Sequence, residues 1–80
     1  MSSFEDYFYE NIALKIRQLR KDRQLTQEQL SEMLSKNMKY IGHIERCERK
    51  ISNTMIIKLL DILQVQPTDF YNFDSPYNWK

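Results

Sequence analysis

Four apolar residues near the start of the chain, Phe8, Ile12, Ile16 and Leu19, recur at spacings of four, four and three. At about 3.6 residues per turn they stack on one face. The pattern predicts a first helix from Phe4 or Asp6 to about Arg23, with a mostly basic outer face, "KIRQLRKDR". The next start signal lies in "LTQEQL": Thr26 is an N-cap, Gln29 completes a capping box, and Leu25 and Leu30 occupy the hydrophobic-staple positions. A second helix is expected from about Gln27. It is short, because its stripe of Leu30, Met33 and Leu34 runs straight into Ser35-Lys36-Asn37, with Asn37 an N-cap for a third helix. Two short helices joined by a three-residue turn form a helix-turn-helix pattern.

Projected at about 100° per residue, the third helix places Ile41 and Ile44 on one side and Lys39, Gly42, His43 and Arg46 on the other, with Met38 and Tyr40 flanking. Gly42 is the only glycine in the chain, and inside a helix it costs roughly 1 kcal/mol relative to alanine. Facing outward, it is not explained by core packing; a helix face stripped to hydrogen at one point suits close approach to another surface. A basic loop, "RCERK", leads to "ISNTMIIKLLDILQV". There Ser52 caps a fourth helix in which Met55, Ile56, Ile57, Leu59, Leu60, Ile62 and Leu63 surround Lys58 and Asp61. Apolar on most of its circumference, this helix is expected at the centre. In "QPTDFY", Pro67 and Asp69 suit the first turn of a short fifth helix. With no strand pattern, internal repeat or low-complexity segment, the fold class is all-α.

Composition narrows the function. Eighty residues make one domain, 1–80. A chain of this size hides only about 60% of its unfolded surface, so association into a dimer would add needed stability. With 41% hydrophobic and 29% charged residues, and no apolar run near the roughly 18 residues of a membrane span, the chain reads as globular, without a membrane partner. "MSSFEDYFYE" is acidic and aromatic where a secretory leader is basic and then apolar, and the lone Cys47 has no internal disulfide partner. Both point to a reducing cytoplasm. The net charge of +1 conceals a distribution: residues 1–14 carry −3, residues 15–50 carry +5 and residues 51–80 carry −1. Nine of the ten aromatics lie in residues 4–9 and 70–79, with Tyr40 the exception. Either the two ends pack together or they form a partner surface, and both hold if the partner is another copy of the chain. One histidine, one cysteine and no metal-ligand spacing assemble no catalytic pair, metal centre or cofactor site, so no enzyme and no small-molecule ligand is expected.

The stretch from Ile16 to Phe70, carrying "LTQEQL", "YIGHIER" and "LLDILQV", resembles the helix-turn-helix domain of the phage repressor and Cro family. These are the xenobiotic-response-element-like (XRE, Cro/C1-type) regulators. The resemblance implies a compact five-helix, lambda-repressor-like domain over about residues 12–71, with an N-terminal extension of helix one and an aromatic tail, 72–80. It implies a cytoplasmic, nucleoid-associated regulator of bacterial or phage origin. Such a protein binds a pseudo-palindromic double-stranded operator as a homodimer and represses or activates transcription. Small stand-alone members, such as restriction-modification controller proteins, are similar in length and layout.

Carried over by position, the resemblance assigns Met38, Lys39 and His43 to base edges in the major groove. A lysine suits guanine O6 and N7, a histidine either donates or accepts, and a methionine suits a thymine methyl. Gln27, Asn37, Tyr40, Arg46, Arg49 and Lys50 are assigned to the DNA backbone, where contacts set register, and Gly42 to close approach. Arg20 and Glu45 match a structural ion pair between helices one and three. Leu63, Val65, Phe70, Tyr71 and Phe73 fall in the family's dimer region. Ser31 and Ser35 stand where alanine and glycine are usual, Cys47 where a left-handed glycine ends the recognition helix, and Ile51 where proline is common. The turn at Ser35 and the helix end at Cys47 are therefore expected to depart from the family's geometry. A cysteine beside the DNA face permits a redox switch, and an inert thiol is the simpler reading. The competing function is a protein-interaction module of the same fold, of antitoxin or anti-repressor type, using its aromatic termini.

Overall fold

The computed structural model describes residues 3–79, among which the chain forms five helices and no strand. These are α1 (Phe4–Asp22), α2 (Gln27–Met33), α3 (Tyr40–Glu45), α4 (Asn53–Leu63) and α5 (Pro67–Phe70). Side-chain caps set three of the starts. Ser3 and Asp6 form a capping box on α1, Thr26 and Gln29 form one on α2, and the Ser52 hydroxyl accepts from the Met55 N–H of α4 at 3.2 Å. Pro67 opens α5, where its missing N–H costs nothing.

The start of α3 departs from expectation. Asn37 does not cap the helix; its Oδ1 accepts from the Lys39 N–H at 3.0 Å and its carbonyl from the Tyr40 N–H at 3.1 Å. Met38 and Lys39 therefore sit on a turn ahead of the helix. The helix is capped from outside instead: the Ser31 hydroxyl accepts from the Ile41 N–H at 3.0 Å and donates to the Gln27 carbonyl at 2.8 Å. Ser31 is fully buried, so where alanine is usual this chain has a hydroxyl bridge between α2 and α3.

The ends of α1 to α4 share one device. Gln24, Ser35, Cys47 and Gln64 all have φ between 55 and 60°. Around each, two backbone bonds close the helix in a Schellman pattern, as in Glu48 N–H to His43 O at 2.9 Å with Cys47 N–H to Ile44 O at 3.0 Å. The expected departure at Cys47 does not occur, and the turn at Ser35 is closed in the same way. Both retain the left-handed conformation without glycine.

The core gathers Ile12 and Ile16 of α1, Leu30 and Leu34, Ile41 and Ile44 of α3, Ile51, and Ile56, Leu59, Leu60 and Leu63 of α4, closed by Phe70. Two apolar residues expected inside are not: Met33 is 41% and Ile57 68% exposed. A seven-residue helix and the apolar α4 each carry more hydrophobic positions than one buried face holds. Cross-ties to carbonyls lock the helices further, Lys58 Nζ donating to Leu34 O at 3.0 Å and Arg23 Nη2 to Leu63 O at 3.1 Å.

The two aromatic ends pack together. Phe4 stacks on Trp79 (4.9 Å between centroids) and meets Tyr77 edge-on (5.1 Å), while Tyr7 and Phe8 meet Phe73 edge-on at 6.0 and 5.9 Å. The Tyr7 hydroxyl donates to the Ser75 carbonyl, tying the tail to α1.

Candidate nucleic-acid interface

Glu45, at the last turn of α3, is the hub that positions the site. Arg20 Nε donates to its Oε2 at 2.7 Å and Arg20 Nη2 to its Oε1 at 3.0 Å, with both side chains at least nine-tenths buried. A third guanidinium nitrogen, Nη1, donates to the Leu25 carbonyl at 2.9 Å. Glu45, through its own hydrogen bonds to the guanidinium and its charge, holds Arg20 further into its charged range against the opposing effect of burial. A buried pair of this kind is weak evidence for net stability, but breaking it costs several kcal/mol, about 3–5, so it fixes geometry. Here it fixes α3 against α1.

Gln27, at the first turn of α2, donates through Nε2 to the same carboxylate at 3.0 Å. Its other amide atom, Oε1, lies over Gly42: a Cβ built there would stand 3.1 Å from Gln27 Oε1 and 3.0 Å from Arg46 Nη1. This corrects the reading of the glycine. Gly42 is buried, and the surfaces that approach it closely are two of the protein's own side chains.

An open groove runs between α2 and α3, lined by Gln27, Asn37, Met38, Lys39, Gly42, His43 and Arg46, with Glu28, Glu32 and Lys36 on its outer wall. It brings together all three residues assigned to base edges and three of the six assigned to the DNA backbone. Met38 is 67% exposed. The remaining three fall elsewhere. Tyr40 is 3% exposed and part of the core, so its ring is not a contact surface; Arg49 Cζ stands 5.1 Å and Lys36 Nζ 5.3 Å from the ring centroid instead. Burial, set partly against the charge of Arg49, pushes the Tyr40 hydroxyl above its ordinary range. Lys50 pairs with Glu5 at the start of α1 and lies 5.3 Å from the Tyr9 ring, away from the groove. Pairing with Glu5 raises its ammonium above the usual lysine range.

Sequence reasoning missed Glu48. The left-handed Cys47 folds the chain back so that Glu48 Oε1 lies 2.7 Å from His43 Nδ1, and Arg46 donates from Nε to Oε2 at 3.1 Å and from Nη2 to Oε1 at 3.3 Å. Arg46 and His43 hold the Glu48 carboxyl below the usual carboxylate range. No local pattern marks such an i to i+5 contact.

The dimer assignment also changes. Leu63 (7% exposed) and Phe70 (0%) belong to the protomer's own core, Val65 and Phe73 are half-buried against it, and only Tyr71, at 40%, is openly exposed. Among the described residues no cluster of metal-ligating side chains forms, and no helix is long and apolar enough to cross a membrane.

Residues 16–70 match the helix-turn-helix family HTH_3. No curated protein matches the chain. Among solved structures it is similar to the restriction-modification controller protein C.AhdI from Aeromonas hydrophila, at 28% identity over 79% of this chain and 96% of that one, with a TM-score of 0.71. It shares its fold with the controller protein C.Esp1396I, at 24% identity over 88% and 87% of the two chains and a TM-score of 0.73. The same holds for the clp gene regulator ClgR from C. glutamicum, at 20% identity over 80% and 82% and a TM-score of 0.72.

Proposed function

The chain belongs to the helix-turn-helix family, and we propose that it is a DNA-binding regulator of transcription that acts as a controller-type repressor or activator, a homodimer on a pseudo-palindromic operator. The observation that carries this reading is the groove at α3. Lys39, His43 and Arg46 line it beside a helix that the Glu45 hub and the Ser31 bridge hold rigidly against its neighbours. The likeness to C.AhdI supports the controller assignment.

In this reading α3 enters the major groove. Lys39 donates to guanine O6 or N7, Met38 packs on a thymine methyl, and His43 meets a base edge. Arg46, Arg49 and Lys36 take phosphates, with a binding constant that falls as salt rises, because the counterions released on binding then enter a more concentrated solution. Gln27 acts through Glu45 and Gly42 as a spacer between α2 and α3. The dimer surface centres on exposed Tyr71 and its half-buried neighbours Val65 and Phe73.

One observation favours a protein-interaction module: Trp79 is 71% and Phe4 42% exposed at the joined ends. In vitro selection from randomised duplex DNA, with a Lys39→Ala, His43→Ala double variant in parallel, separates the two. Enrichment of an inverted repeat with half-sites about one helical turn apart, lost in the variant, supports the regulator. No enrichment by the wild type sinks it in favour of the module. Sedimentation that finds a monomer at micromolar concentration, with and without the selected DNA, removes the two-fold operator.

A further inference from the structure

We propose, on the premise of the DNA-binding reading above, that Glu48 is a positioning residue that sets which bases His43 accepts, by fixing the tautomer of its ring. A carboxylate accepts hydrogen bonds and donates none. With Glu48 Oε1 2.7 Å from His43 Nδ1, the hydrogen of the neutral imidazole resides on Nδ1. The lone pair is then on Nε2, the nitrogen left free of any side-chain bond among the described residues.

The consequence is chemical. At the major-groove edge cytosine presents the N4 amine and adenine the N6 amine, whereas guanine presents O6 and N7 and thymine O4 as acceptors. An Nε2 lone pair accepts from the amines and repels the acceptors. The neutral ring of His43 therefore reads cytosine or adenine, and rejects guanine, because Glu48 is present. Without Glu48 the ring carries its hydrogen on Nε2 and donates to guanine.

The backbone places Glu48 for this. Its N–H bonds to the His43 carbonyl at 2.9 Å, a link that exists because Cys47 adopts φ 60°. The second carboxylate oxygen takes Arg46 Nε at 3.1 Å, which prevents the carboxylate from rotating away from the ring. Glu48 and His43 are both substantially exposed, at 50% and 43% of their side chains, so removing the carboxylate does not threaten the core.

His43 is the only histidine, so one pair of imidazole nitrogen-15 resonances reports its tautomer without ambiguity. At a pH where the wild-type spectrum shows the ring neutral, the wild type and Glu48→Gln, whose amide oxygen still accepts from Nδ1–H, are expected in the Nδ1–H form, and Glu48→Ala in the Nε2–H form or a mixture. In parallel, selection from randomised duplex DNA at the same pH compares wild type, His43→Ala, Glu48→Ala and Glu48→Gln. The position whose preference disappears in His43→Ala is expected to hold cytosine or adenine in the wild type and in Glu48→Gln. Discrimination there against guanine should fall about tenfold in Glu48→Ala, the scale of one good base contact. A wild-type ring in the Nε2–H form, or an unchanged preference in Glu48→Ala, overturns the role of Glu48 and leaves the regulator intact. Failure of the wild type to enrich any sequence overturns the DNA-binding reading and this role with it.

Discussion

Four residues in the left-handed region, Gln24, Ser35, Cys47 and Gln64, terminate four helices in a chain whose single glycine occupies none of those places. A side chain there costs roughly 1–2 kcal/mol through contact of Cβ with the following carbonyl, partly offset by the greater unfolded-state freedom of glycine. Gln24→Gly and Gln64→Gly, neither of which lines the groove, should each raise stability by about 0.5–1 kcal/mol, read as an increase in the urea midpoint at constant slope. Gly42→Ala behaves differently. It gains roughly 1 kcal/mol of helix propensity but displaces the tips of Gln27 and Arg46, which lie 3.1 and 3.0 Å from the new Cβ. Its melting temperature should hardly change while operator affinity falls; an affinity equal to wild type would mean that neither tip matters to the site. Cys47 belongs to this scale as well. Although the residue is exposed, partial desolvation by its neighbours, reinforced by the charge of Glu10, pushes its thiol above the ordinary cysteine range. Since the neutral thiol is the form the fold favours, that contribution is present below the ordinary range and is lost as pH rises through the raised value. Iodoacetamide should accordingly modify the folded chain more slowly than the urea-unfolded chain near the thiol's normal titration, and equal rates would restore the redox-switch reading.

At the scale of elements, α3 is too short to hold itself in place. Six residues make fewer than two turns, a length at which an isolated helix does not persist. Its position comes from two polar attachments made by other helices: Glu45 to Arg20 and Gln27, and Ser31 to Ile41. The Ile41 N–H is one of the unpaired donors at a helix start, and Ile41 is fully buried. Ser31→Ala strands that donor away from water, so a loss of about 1–3 kcal/mol is expected in equilibrium unfolding. A substitution without effect would show that the bridge contributes nothing beyond the packing of α2 on α3.

The molecule as a whole has a complete core by Phe70, which is fully buried, and the tail beyond it adds a second, aromatic cluster on α1. Each such ring pair contributes about 0.5–1.5 kcal/mol beyond the area it covers. Deleting the residues from Asp74 onward should thus lower stability by roughly 1–3 kcal/mol while leaving the helical circular dichroism and the operator preference unchanged. Lost binding would place the tail at the interface with a partner copy. The charge distribution is also a property of this scale. The acidic start of α1 draws Lys50 to Glu5, so part of the central positive charge is spent within the chain and does not reach the groove.

Much of this was legible in the sequence, because it rests on local rules. The apolar spacing of α1, the capping box at Thr26 and the serine before α4 each act within one or two turns, and they placed those helices to within a residue or two of where they stand. The groove-lining residues Lys39, His43 and Arg46 followed from helical periodicity in the same way. Tertiary structure decided the rest. Gly42 projected outward and is covered by Gln27 and Arg46, and Tyr40, which projected at the flank, is taken into the core; Met33 and Ile57 looked like core and found no face to bury against. Leu63 and Phe70 looked available to a partner and are consumed by the fold itself. Periodicity tells which residues share a side of a helix, whereas which sides are covered depends on where the other helices lie, and that is a global property of the packed chain.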